Sequence, residues 1–565
     1  MQASVQYNHS MRRLSLFLSL VICVQLGARQ PVRARHAMVV AQEPLAADAG
    51  VEVLKRGGNA VDAAVAVGFA LAVTHPSAGN IGGGGFMLIR LADGRTTFID
   101  FRERAPEKAS HDMYLDAQGK PTRDSIDGWR ASGVPGTVRG LELAQQKYGK
   151  QKWADDLAPA IALAAKGHPL SYAEAESMKN SRNLAKYADS KRIFQRDGKF
   201  YEPDEVFTQP ELAHTLELIS KGGAKAFYEG EIAKKLAEDE AKNGGLITLS
   251  DLKNMTAVER TPLTGKYKGY DVITSPPPSS GGVGILQIMG MLDGTGYEKS
   301  GAGSAAAIHF AAETERRYYA DRNEYLGDPD FIKNPIAGML ETAYLQKRRA
   351  TIDLNHATPS DQVNPGHPKG SESTETTHYE VVDADGNAVA VTYTLNGGFG
   401  CGVTAPGLGF LLNNEMDDFA SKPGEPNMFG LVQGEANAIQ PKKRPLSSMM
   451  PTMLVRNGKL FMVVGAPGGS RIITGVTEVV LNVVDFGMNA QDAVDFPRFH
   501  HQWKPDKLEL ESGISPDTVA LLKKMGYDVD QSARVSIARV EAIVIDGGWL
   551  QGGTDGRGSG KVAGY

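Results

Sequence analysis

Thr376 begins the part of the sequence whose residue types are best suited to chemistry. Two alternating apolar runs, 377–382 and 388–395, flank Asp385-Gly386, which is among the strongest short-range signals for a β-hairpin. The polar run 369–375 comes before them without periodicity and has the composition of a loop that can be cleaved. Cleavage before Thr376 would give one residue both a hydroxyl and a free α-amine, which are a nucleophile and its base.

Charged residues follow two further predicted strands. Arg102 comes directly after the predicted strand 97–101 and could clamp a carboxylate with two parallel hydrogen bonds, although a solvated surface arginine is the commoner case. Glu415 and Asp418 follow the predicted strand 409–413. Acidic residues at a strand end can bind an ammonium group, and a solvated loop is again the commoner alternative.

A glycine pair precedes an apolar helix predicted over 471–485. Ser470 is a suitable N-cap, so the amides of Gly468 and Gly469 are predicted at a helix N-terminus that favours negative charge. A phosphate-binding loop is the rival interpretation, but the lysine of that motif is missing. His500-His501 lacks the spacing and acidic neighbours of a metal site and is interpreted as structural.

The remaining pattern predicts mixed helices and strands. A glycine cluster, 79–85, follows a helix and precedes a strand, which reverses the order of a dinucleotide-binding fingerprint and favours close backbone approach instead. The tract 351–375 is predicted to be a flexible connection, and 421–434 a long ordered loop or lid. The predicted helices are 46–55, 60–73 with Asn59 as cap, 210–243, 283–292 and 303–324; further predicted strands are 86–90, 452–456 and 459–464.

Composition and the N-terminus indicate an exported globular protein. The 565 residues are 41% hydrophobic and 22% charged, enough for one large or two medium domains, and the net charge of −5 argues against a nucleic-acid partner. Met11-Arg12-Arg13 and the apolar run 14–28 have the pattern of a secretory signal peptide, 1–28, with Met11 as a possible true start. A membrane anchor is the alternative, but the run is shorter than the roughly 20 residues of a span.

Cysteine use excludes several classes of site. Cys23 lies inside the apolar run and would leave with the signal peptide, so Cys401 would be alone in the mature chain. Neither a disulfide framework nor a cysteine zinc cluster is then available. A single cysteine can be a nucleophile, but is more often a packed or loop residue.

Several stretches resemble the γ-glutamyltransferase (γ-glutamyltranspeptidase) family of N-terminal-nucleophile hydrolases. In order along the chain they are VVAQEPLAADAG, GNIGGGGF, DFRERAP, ADRNEYLGDPDF, TTHYEVVDADGNAVAVTYTLN, LLNNEMDDF, PLSSMMPT, GAPGGSR and the terminal GY. Independent motifs in the right order over nearly the whole mature chain are far more specific than one pattern match. The resemblance implies an α+β fold, the four-layer αββα sandwich.

The resemblance also implies a precursor that cuts its own Glu375-Thr376 bond. A large subunit, 29–375, and a small subunit, 376–565, would stay associated as a heterodimer within one intertwined domain. The implied cycle is attack of Thr376 on the γ-carbonyl of glutathione or another γ-glutamyl compound, a covalent acyl-enzyme, and transfer to water, an amino acid or a dipeptide. No cofactor or metal is implied, and the implied location is the periplasm or outside the cell.

Site residues are implied residue by residue. The catalytic set is the nucleophile Thr376, its tuning neighbour Thr394, and the oxyanion-hole amides of Gly468 and Gly469. The substrate-binding set is Arg102, Ser447 and Ser448 on the α-carboxylate, with Asn396, Glu415 and Asp418 on the α-amino side. Counting back along the predicted hairpin agrees, because it sets Thr376 opposite 394–396.

Two positions depart from the family pattern, and two other functions compete. Glu380 stands where serine or threonine is usual and is expected to point to solvent; Phe429 replaces a tyrosine of some relatives, whose hydroxyl could latch the lid. One rival function is a glutaryl or cephalosporin acylase of the same fold. The other is an exported binding protein that never matures.

Overall fold

The structure is a computed structural model that describes residues 29–368, 378–532 and 535–565. Thr376, the Glu375-Thr376 bond and the predicted signal peptide lie outside the described residues. The described helices are α1 (Pro44–Lys55), α2 (Ala60–Thr74), α3 (Thr137–Tyr148), α4 (Trp153–Lys166), α5 (Tyr172–Asn180), α6 (Ala188–Phe194), α7 (Pro210–Gly222), α8 (Ala224–Tyr228), α9 (Glu231–Lys242), α10 (Leu249–Asn254), α11 (Gly281–Leu292), α12 (Ala305–Tyr325), α13 (Ile336–Met339), α14 (Thr342–Arg349), α15 (Ile472–Val484), α16 (Ala490–Asp495) and α17 (Pro516–Lys524).

The described strands form two large antiparallel sheets and three small ones. They are β1 (Val32–Ala34), β2 (Met38–Ala41), β3 (Gly84–Arg90), β4 (Thr96–Asp100), β5 (His168–Pro169), β6 (Gln195–Arg196), β7 (Lys199–Phe200), β8 (Val206–Phe207), β9 (Val258–Arg260), β10 (Leu263–Tyr267), β11 (Tyr270–Thr274), β12 (Tyr379–Val382), β13 (Ala388–Thr394), β14 (Thr452–Arg456), β15 (Lys459–Gly465), β16 (Phe499–His500), β17 (Leu508–Leu510), β18 (Val529–Asp530), β19 (Glu541–Asp546), β20 (Trp549–Thr554) and β21 (Lys561–Gly564).

The two large sheets stack face to face and are covered by helices on their outer faces. One sheet has the order β21-β2-β12-β13-β3-β4-β9 and the other β1-β20-β19-β15-β14-β11-β10. An apolar cluster that includes Leu88 and Val463 fills the space between them. The first sheet packs its other face on α1 and α2, and the second on α11 and α15. The arrangement is the α+β, four-layer αββα sandwich, so this prediction is confirmed.

The predicted hairpin is β12 and β13, in the middle of the first sheet. Tyr379 pairs with Val391 and Val382 with Ala388. The Asp383 carboxylate closes the turn, because Oδ1 accepts hydrogen bonds from the amides of Asp385 (3.0 Å) and Asn387 (2.9 Å). A side chain that satisfies turn amides favours this turn over continued strand, which explains why the sequence signal was reliable.

Close backbone approach accounts for the glycine cluster before β3. A Cβ at Gly83 would lie 1.9 Å from the Thr394 carbonyl oxygen, and one at Gly82 would lie 2.1 Å from that of Leu411. No side chain fits at these distances, so the segment that leads into β3 lies directly against the end of β13. The prediction of close approach is confirmed.

The predicted strand 409–413 is wrong. Leu411 makes one isolated bridge, to Thr404, and the chain instead turns back on its own neighbours through Gly407 and Gly409, both at positive φ. Leu412 accordingly donates to the Val403 carbonyl at 2.9 Å. Apolar alternation could not distinguish this local pairing from a sheet strand.

The other predicted elements agree with the structure within a few residues, except that the helical stretch 210–243 is divided into α7, α8 and α9. The α2 helix begins with a capping box, in which Asn59 and Asp62 satisfy each other's backbone amides. The described part of the predicted flexible connection, 351–368, contains one 3₁₀ turn, Ser360–Gln362. Among the described helices, none is long and apolar enough to cross a membrane.

Candidate active site

One cavity of about 290 Å³ is lined by chain segments that follow strands of the two central sheets. Strand β13 ends at Thr394 and leads to Asn396, whereas β15 ends at Gly465 and leads to Gly468-Gly469. Thr394, Asn396, Gly468 and Gly469 all line the cavity. Residues from two regions of the sequence that were assigned to catalysis and donor binding are therefore brought together.

The backbone amides of Gly468 and Gly469 are not used for hydrogen bonds within the described fold. Their φ angles are 148° and 58°, both in the region that favours glycine. Within the described part of the chain, neither amide donates a hydrogen bond. Two adjacent free N–H groups on the wall of a cavity can stabilise a developing oxyanion.

The predicted N-cap role of Ser470 is wrong. A 3₁₀ turn, Gly469–Arg471, precedes α15, and the helix is capped at Arg471 without a side-chain hydrogen bond. The Ser470 hydroxyl instead donates to Gln502 Oε1 at 2.7 Å. A serine before a helix is a good local signal, but a tertiary partner competes for the same hydroxyl.

Thr394 and Asn396 form a tight local unit. The Asn396 amide donates to Thr394 Oγ1 at 2.8 Å, and its side-chain Nδ2 donates to the Asn414 carbonyl at 3.0 Å. The φ of Asn396 is 73°, which asparagine tolerates better than most residues. This conformation turns the chain out of β13 and holds Asn396 against the acidic segment that follows Asn414.

Arg102 lies in a fully buried ion cluster with the two predicted acidic residues. Its guanidinium donates to Glu415 Oε1 through Nη1 and to Asp418 Oδ2 through Nη2, the latter at 2.6 Å. Glu103 Oε2 is 3.7 Å from Nη1. The solvated alternatives for Arg102 and for the acidic segment are therefore wrong. The arginine and the two acidic residues, which were predicted to bind opposite ends of a donor substrate, therefore also pair with each other.

Burial dominates the electrostatics of this cluster. It raises the pKa of Glu103 to about 7, opposed by the Arg102 guanidinium. It also raises the pKa of Asp418, again opposed by Arg102. One arginine therefore stabilises several carboxylates that would otherwise take up protons. The Arg102-Glu103-Arg104 run was the available signal for Glu103, whose role the sequence reasoning missed.

Ser447 and Ser448 are buried beside this cluster. The Pro445 carbonyl accepts from Arg102 Nε at 3.3 Å, which holds the serine segment against the arginine. The Ser447 carbonyl accepts from the Ser280 amide at 3.0 Å. The Ser448 hydroxyl has no hydrogen-bond partner among the described residues. A buried hydroxyl of this kind can serve a ligand.

The ordered loop 421–434 connects the ion cluster to the cavity. The Met428 amide donates to Asp417 Oδ2 at 3.0 Å, and Gln433 Nε2 donates to the Asp418 carbonyl at 3.0 Å. The Phe429 ring lines the cavity, and a Cβ added at Gly469 would lie 2.6 Å from it. The loop is thus held by the acidic segment and covers one of the glycines.

Glu380 is buried rather than solvent-exposed, so that expectation is wrong. It lies in β12 and its Oε1 is 2.7 Å from His378 Nε2, while His378 Nδ1 is 3.1 Å from Thr392 Oγ1. Alternation correctly indicated a strand, but β12 is central in a sheet covered on both faces, where neither face meets solvent.

Cys401 and the histidine pair are structural, as predicted. Burial raises the pKa of the Cys401 thiol to about 12, so a thiolate nucleophile is disfavoured at neutral pH. His500 Nδ1 lies 2.9 Å from Thr474 Oγ1, and His501 Nε2 lies 3.2 Å from Asp506 Oδ1. Burial lowers the pKa of each imidazole to about 4.

Replacing Cys401 by alanine is expected to change kcat by less than about twofold, because the thiol does not line the cavity and is protonated at neutral pH. Its labelling by a thiol reagent should be roughly tenfold or more slower in the native protein than in urea. Loss of turnover in a folded Cys401→Ala protein would instead support the cysteine as nucleophile.

Replacing Gly468 by alanine is expected to lower kcat by roughly a hundredfold or more, because the new Cβ would lie 2.8 Å from Ala538 Cα and displace an amide that is predicted to stabilise the oxyanion. Gly458→Ala is the matched control: it also has positive φ, 75°, but open space around the new Cβ. Equal activity losses in the two variants would contradict the amide's role. Steady-state rates and urea unfolding measure both effects.

Comparison with known proteins agrees with this geometry. The sequence profile of the family described as Gamma-glutamyltranspeptidase matches residues 46–565. The chain belongs to the γ-glutamyltranspeptidase family. The match spans the arginine, acidic, serine and glycine segments of the site, so the resemblance drawn from their motifs is confirmed.

Relatives of this γ-glutamyltranspeptidase family member include glutathione hydrolase proenzymes and acylases. A glutathione hydrolase proenzyme from Escherichia coli (strain K12) is 51% identical over 531 residues, covering 93% of this chain and 91% of that protein. The cephalosporin acylase structure from Bacillus halodurans aligns with TM-score 0.85 at 27% identity, covering 100% of this chain and 99% of that one. A Helicobacter pylori γ-glutamyltranspeptidase structure aligns with TM-score 0.57 at 43% identity, covering 60% and 96%.

Proposed function

We propose that this protein is an autoprocessed γ-glutamyltransferase and glutathione hydrolase. The observation that carries the proposal is the buried Arg102–Glu415–Asp418 cluster, which the loop 421–434 connects to a cavity lined by Gly468 and Gly469. A γ-glutamyl donor ends in one carboxylate and one ammonium group, and the cluster holds both complementary charges. The 51% identity to a glutathione hydrolase proenzyme supports the same activity.

We propose that Arg102, Ser447 and Ser448 bind the donor α-carboxylate. Arg102 can bind this carboxylate through two parallel hydrogen bonds. The Ser448 hydroxyl has no hydrogen-bond partner among the described residues and is available to the same carboxylate. Asn396, Glu415 and Asp418 bind the ammonium group. Donor binding then exchanges protein–protein ion pairs for protein–ligand pairs, which limits the desolvation cost of a buried site.

Thr376 is the proposed nucleophile, with Thr394 tuning it. His378, the first described residue after it, lies beside Thr392, two residues before Thr394. The free α-amine would have an ordinary pKa near 8, so it can accept the hydroxyl proton near neutral pH. In the precursor this nitrogen is part of a peptide bond, and cleavage of Glu375-Thr376 activates it.

The proposed cycle has two half-reactions. Thr376 Oγ bonds to the γ-carbonyl carbon, its proton passes to the α-amine, and the amides of Gly468 and Gly469 stabilise the oxyanion. The C–N bond breaks as that proton moves to the leaving amine. Water or an acceptor amine then forms the new bond to the acyl carbon, and its proton returns to Thr376 as the ester bond breaks.

The proposal includes export and a heterodimer. The N-terminal pattern of 1–28 supports export to the periplasm or the medium, and cleavage would produce subunits 29–375 and 376–565. The subunits would share a sheet, since β12 and β13 pair with β2 and β3. Such main-chain pairing explains how they could stay associated after cleavage.

Mass determination of the new N-terminus tests the processing step directly. A small subunit beginning at Thr376 is the expected result for protein purified after expression without inhibitors. A single full-length chain would support the unprocessed binding protein instead. A denaturing gel and the mass measurement are made on the same sample, so that cleavage at another bond is distinguished from cleavage before Thr376.

A glutaryl acylase is the second candidate, favoured by the TM-score of 0.85 to a cephalosporin acylase. A glutaryl group has no α-amine, so it would leave Glu415 and Asp418 without their proposed ligand. Turnover of γ-glutamyl-4-nitroanilide is therefore expected to exceed that of glutaryl-4-nitroanilide. Faster cleavage of the glutaryl compound would reverse the assignment.

A further inference from the structure

We infer that Glu380 is a positioning residue for the proposed reaction: it holds the His378 imidazole between the strand that ends at Thr394 and the strand that leads to the proposed oxyanion-hole glycines. This inference rests on the proposed function, and it adds a residue that lies behind the cavity and lines no part of it. The chain carries glutamate at a position where the family pattern has serine or threonine, so the role concerns this sequence in particular.

Glu380 points between the two large sheets rather than toward the helices. In β12, Tyr379 and Val381 belong to the apolar cluster that packs on α2, whereas Val382 belongs to the cluster between the sheets. Because side chains alternate along a strand, His378 and Glu380 share the inter-sheet face with Val382. Both side chains are fully buried there. Burying two ionisable groups in an apolar layer costs free energy unless they are paired.

The two groups form a neutral hydrogen-bonded pair. His378 Nε2 lies 2.7 Å from Glu380 Oε1, and Nδ1 lies 3.1 Å from Thr392 Oγ1. Burial lowers the pKa of His378 to about 3. Burial, with the nearby Glu541 carboxyl, raises the pKa of Glu380 well above its ordinary value, opposed by the Ile543 amide. The carboxyl proton therefore donates to Nε2 and Nδ1–H donates to Thr392, so both ring nitrogens orient the imidazole.

The imidazole contacts both strands shortly before they reach the cavity. A Cβ added at Gly465, the last residue of β15, would lie 2.2 Å from His378 Nδ1. The ring therefore packs directly on the main chain three residues before Gly468. The same nitrogen bonds to Thr392, which lies two residues before Thr394 on the same face of β13. Thr394 and Gly468 line the cavity, so the position of the ring bears on the spacing between them.

A second set of hydrogen bonds connects the same buried layer to the glycine segment. Gln42 Nε2 donates to Glu541 Oε1 at 2.7 Å and to the Arg539 carbonyl at 3.2 Å. The Arg539 amide in turn donates to the Pro467 carbonyl at 3.1 Å, one residue before Gly468. Catalytic amides need such support, because a displacement of about 1 Å can cost roughly a hundredfold in rate.

The competing interpretation is that Glu380 only stabilises the fold. A residue of that kind changes the free energy of unfolding but not the turnover of the molecules that are folded. A positioning residue lowers kcat in the folded protein and weakens binding of a transition-state analogue by a similar factor. Rates are therefore expressed per mole of small subunit, measured on a denaturing gel.

Variants at position 380 test the inference with γ-glutamyl-4-nitroanilide. In Glu380→Ala the imidazole loses its Nε2 partner, and kcat is expected to fall about tenfold or more because the glycine amides are displaced. The KM should change by less than about twofold, because the proposed donor contacts at Arg102 are unchanged. Glu380→Gln keeps a neutral hydrogen-bond donor of the same shape and should retain at least about half of the wild-type kcat.

A boronic-acid analogue of the donor tests the same point at equilibrium. Such a compound forms a tetrahedral adduct with a hydroxyl nucleophile and so depends on the groups that stabilise the oxyanion. Its inhibition constant in Glu380→Ala is expected to rise by about the factor by which kcat falls. An unchanged inhibition constant would contradict the positioning role.

Glu240→Ala is the matched control. Glu240 is also fully buried, and burial raises its pKa to about 8, but it lies on α9 and lines no part of the cavity. This variant should keep the wild-type kcat and inhibition constant, whatever its midpoint of urea unfolding. Equal kcat losses in Glu240→Ala and Glu380→Ala would mean that both act only through the fold.

A double-variant cycle tests the contact between the imidazole and the glycine strand. Gly465→Ala is expected to lower kcat about tenfold or more, because the new Cβ would collide with the ring. His378→Ala removes that collision, so the double variant should be at least as active as Gly465→Ala alone. Losses that multiply would show that the two residues act independently.

Each outcome supports or overturns the positioning role. Wild-type kcat in folded Glu380→Ala, or an equally large loss in Glu380→Gln, would overturn it and leave the proposed function intact. If Glu380→Ala does not fold, the cycle at Gly465 and His378 decides, and multiplying losses reject the role. A wild-type protein that releases no 4-nitroaniline rejects the proposed function, and the positioning role with it.

Discussion

A Thr376→Ala variant is expected to remain one chain and to lose at least about a thousandfold in turnover of γ-glutamyl-4-nitroanilide. The substitution removes the only hydroxyl proposed to attack both the Glu375-Thr376 bond and the donor, so processing and catalysis fail together. A denaturing gel and steady-state rates measure the two losses on one preparation. Far-ultraviolet circular dichroism should still report the native secondary structure.

Ser373→Ala is the matched control for this variant. It removes a hydroxyl from the same polar run, three residues before the proposed nucleophile, and should be processed and active at the wild-type level. Two fragments from Thr376→Ala, with a new N-terminus at residue 376, would mean that another group cleaves the bond. The autoprocessing mechanism would then be rejected even if the purified enzyme were active.

Replacing Arg102 by glutamine is expected to lower the free energy of unfolding by about 3–5 kcal/mol, because a buried ion cluster loses its cation. The kcat/KM for γ-glutamyl-4-nitroanilide should also fall by roughly a hundredfold or more, because the same guanidinium is proposed to bind the donor carboxylate. Urea unfolding and steady-state kinetics measure the two effects.

Arg95→Gln is the control for the stability loss. Arg95 also pairs with an aspartate, Asp93 at 2.8 Å, but the arginine side chain is 75% exposed. Exposed pairs contribute about 0–1 kcal/mol, so this variant should unfold close to the wild-type urea midpoint. Similar midpoints for the two variants would contradict the structural role assigned to the buried cluster.

The loss in Arg102→Gln should grow as pH rises. Without the guanidinium, the raised pKa values of Glu103 and Asp418 would rise further in the folded state. The folded protein then holds protons that the unfolded chain releases above its ordinary carboxyl pKa, so stability falls with increasing pH. The difference from wild type is expected to be larger near pH 8 than near pH 5.

Local patterns predicted much of the fold because their causes are local. The β12–β13 hairpin followed from Asp385-Gly386, and the α2 helix from the cap at Asn59. The same patterns failed where a distant partner competed with them. Ser470 bonds to Gln502 instead of capping a helix, and the alternation around Glu380 did not reveal that both faces of its sheet are covered.

The sequence by itself determined the family, the four-layer fold and the identity of most proposed site residues. Recurrent motifs carry that information regardless of how the chain is folded. Only the tertiary structure decided that Arg102 pairs with Glu415 and Asp418, which are 313 and 316 residues away along the chain. It alone set Thr394 and Gly468 on one cavity. Such pairings depend on sheet stacking, and no local propensity encodes them.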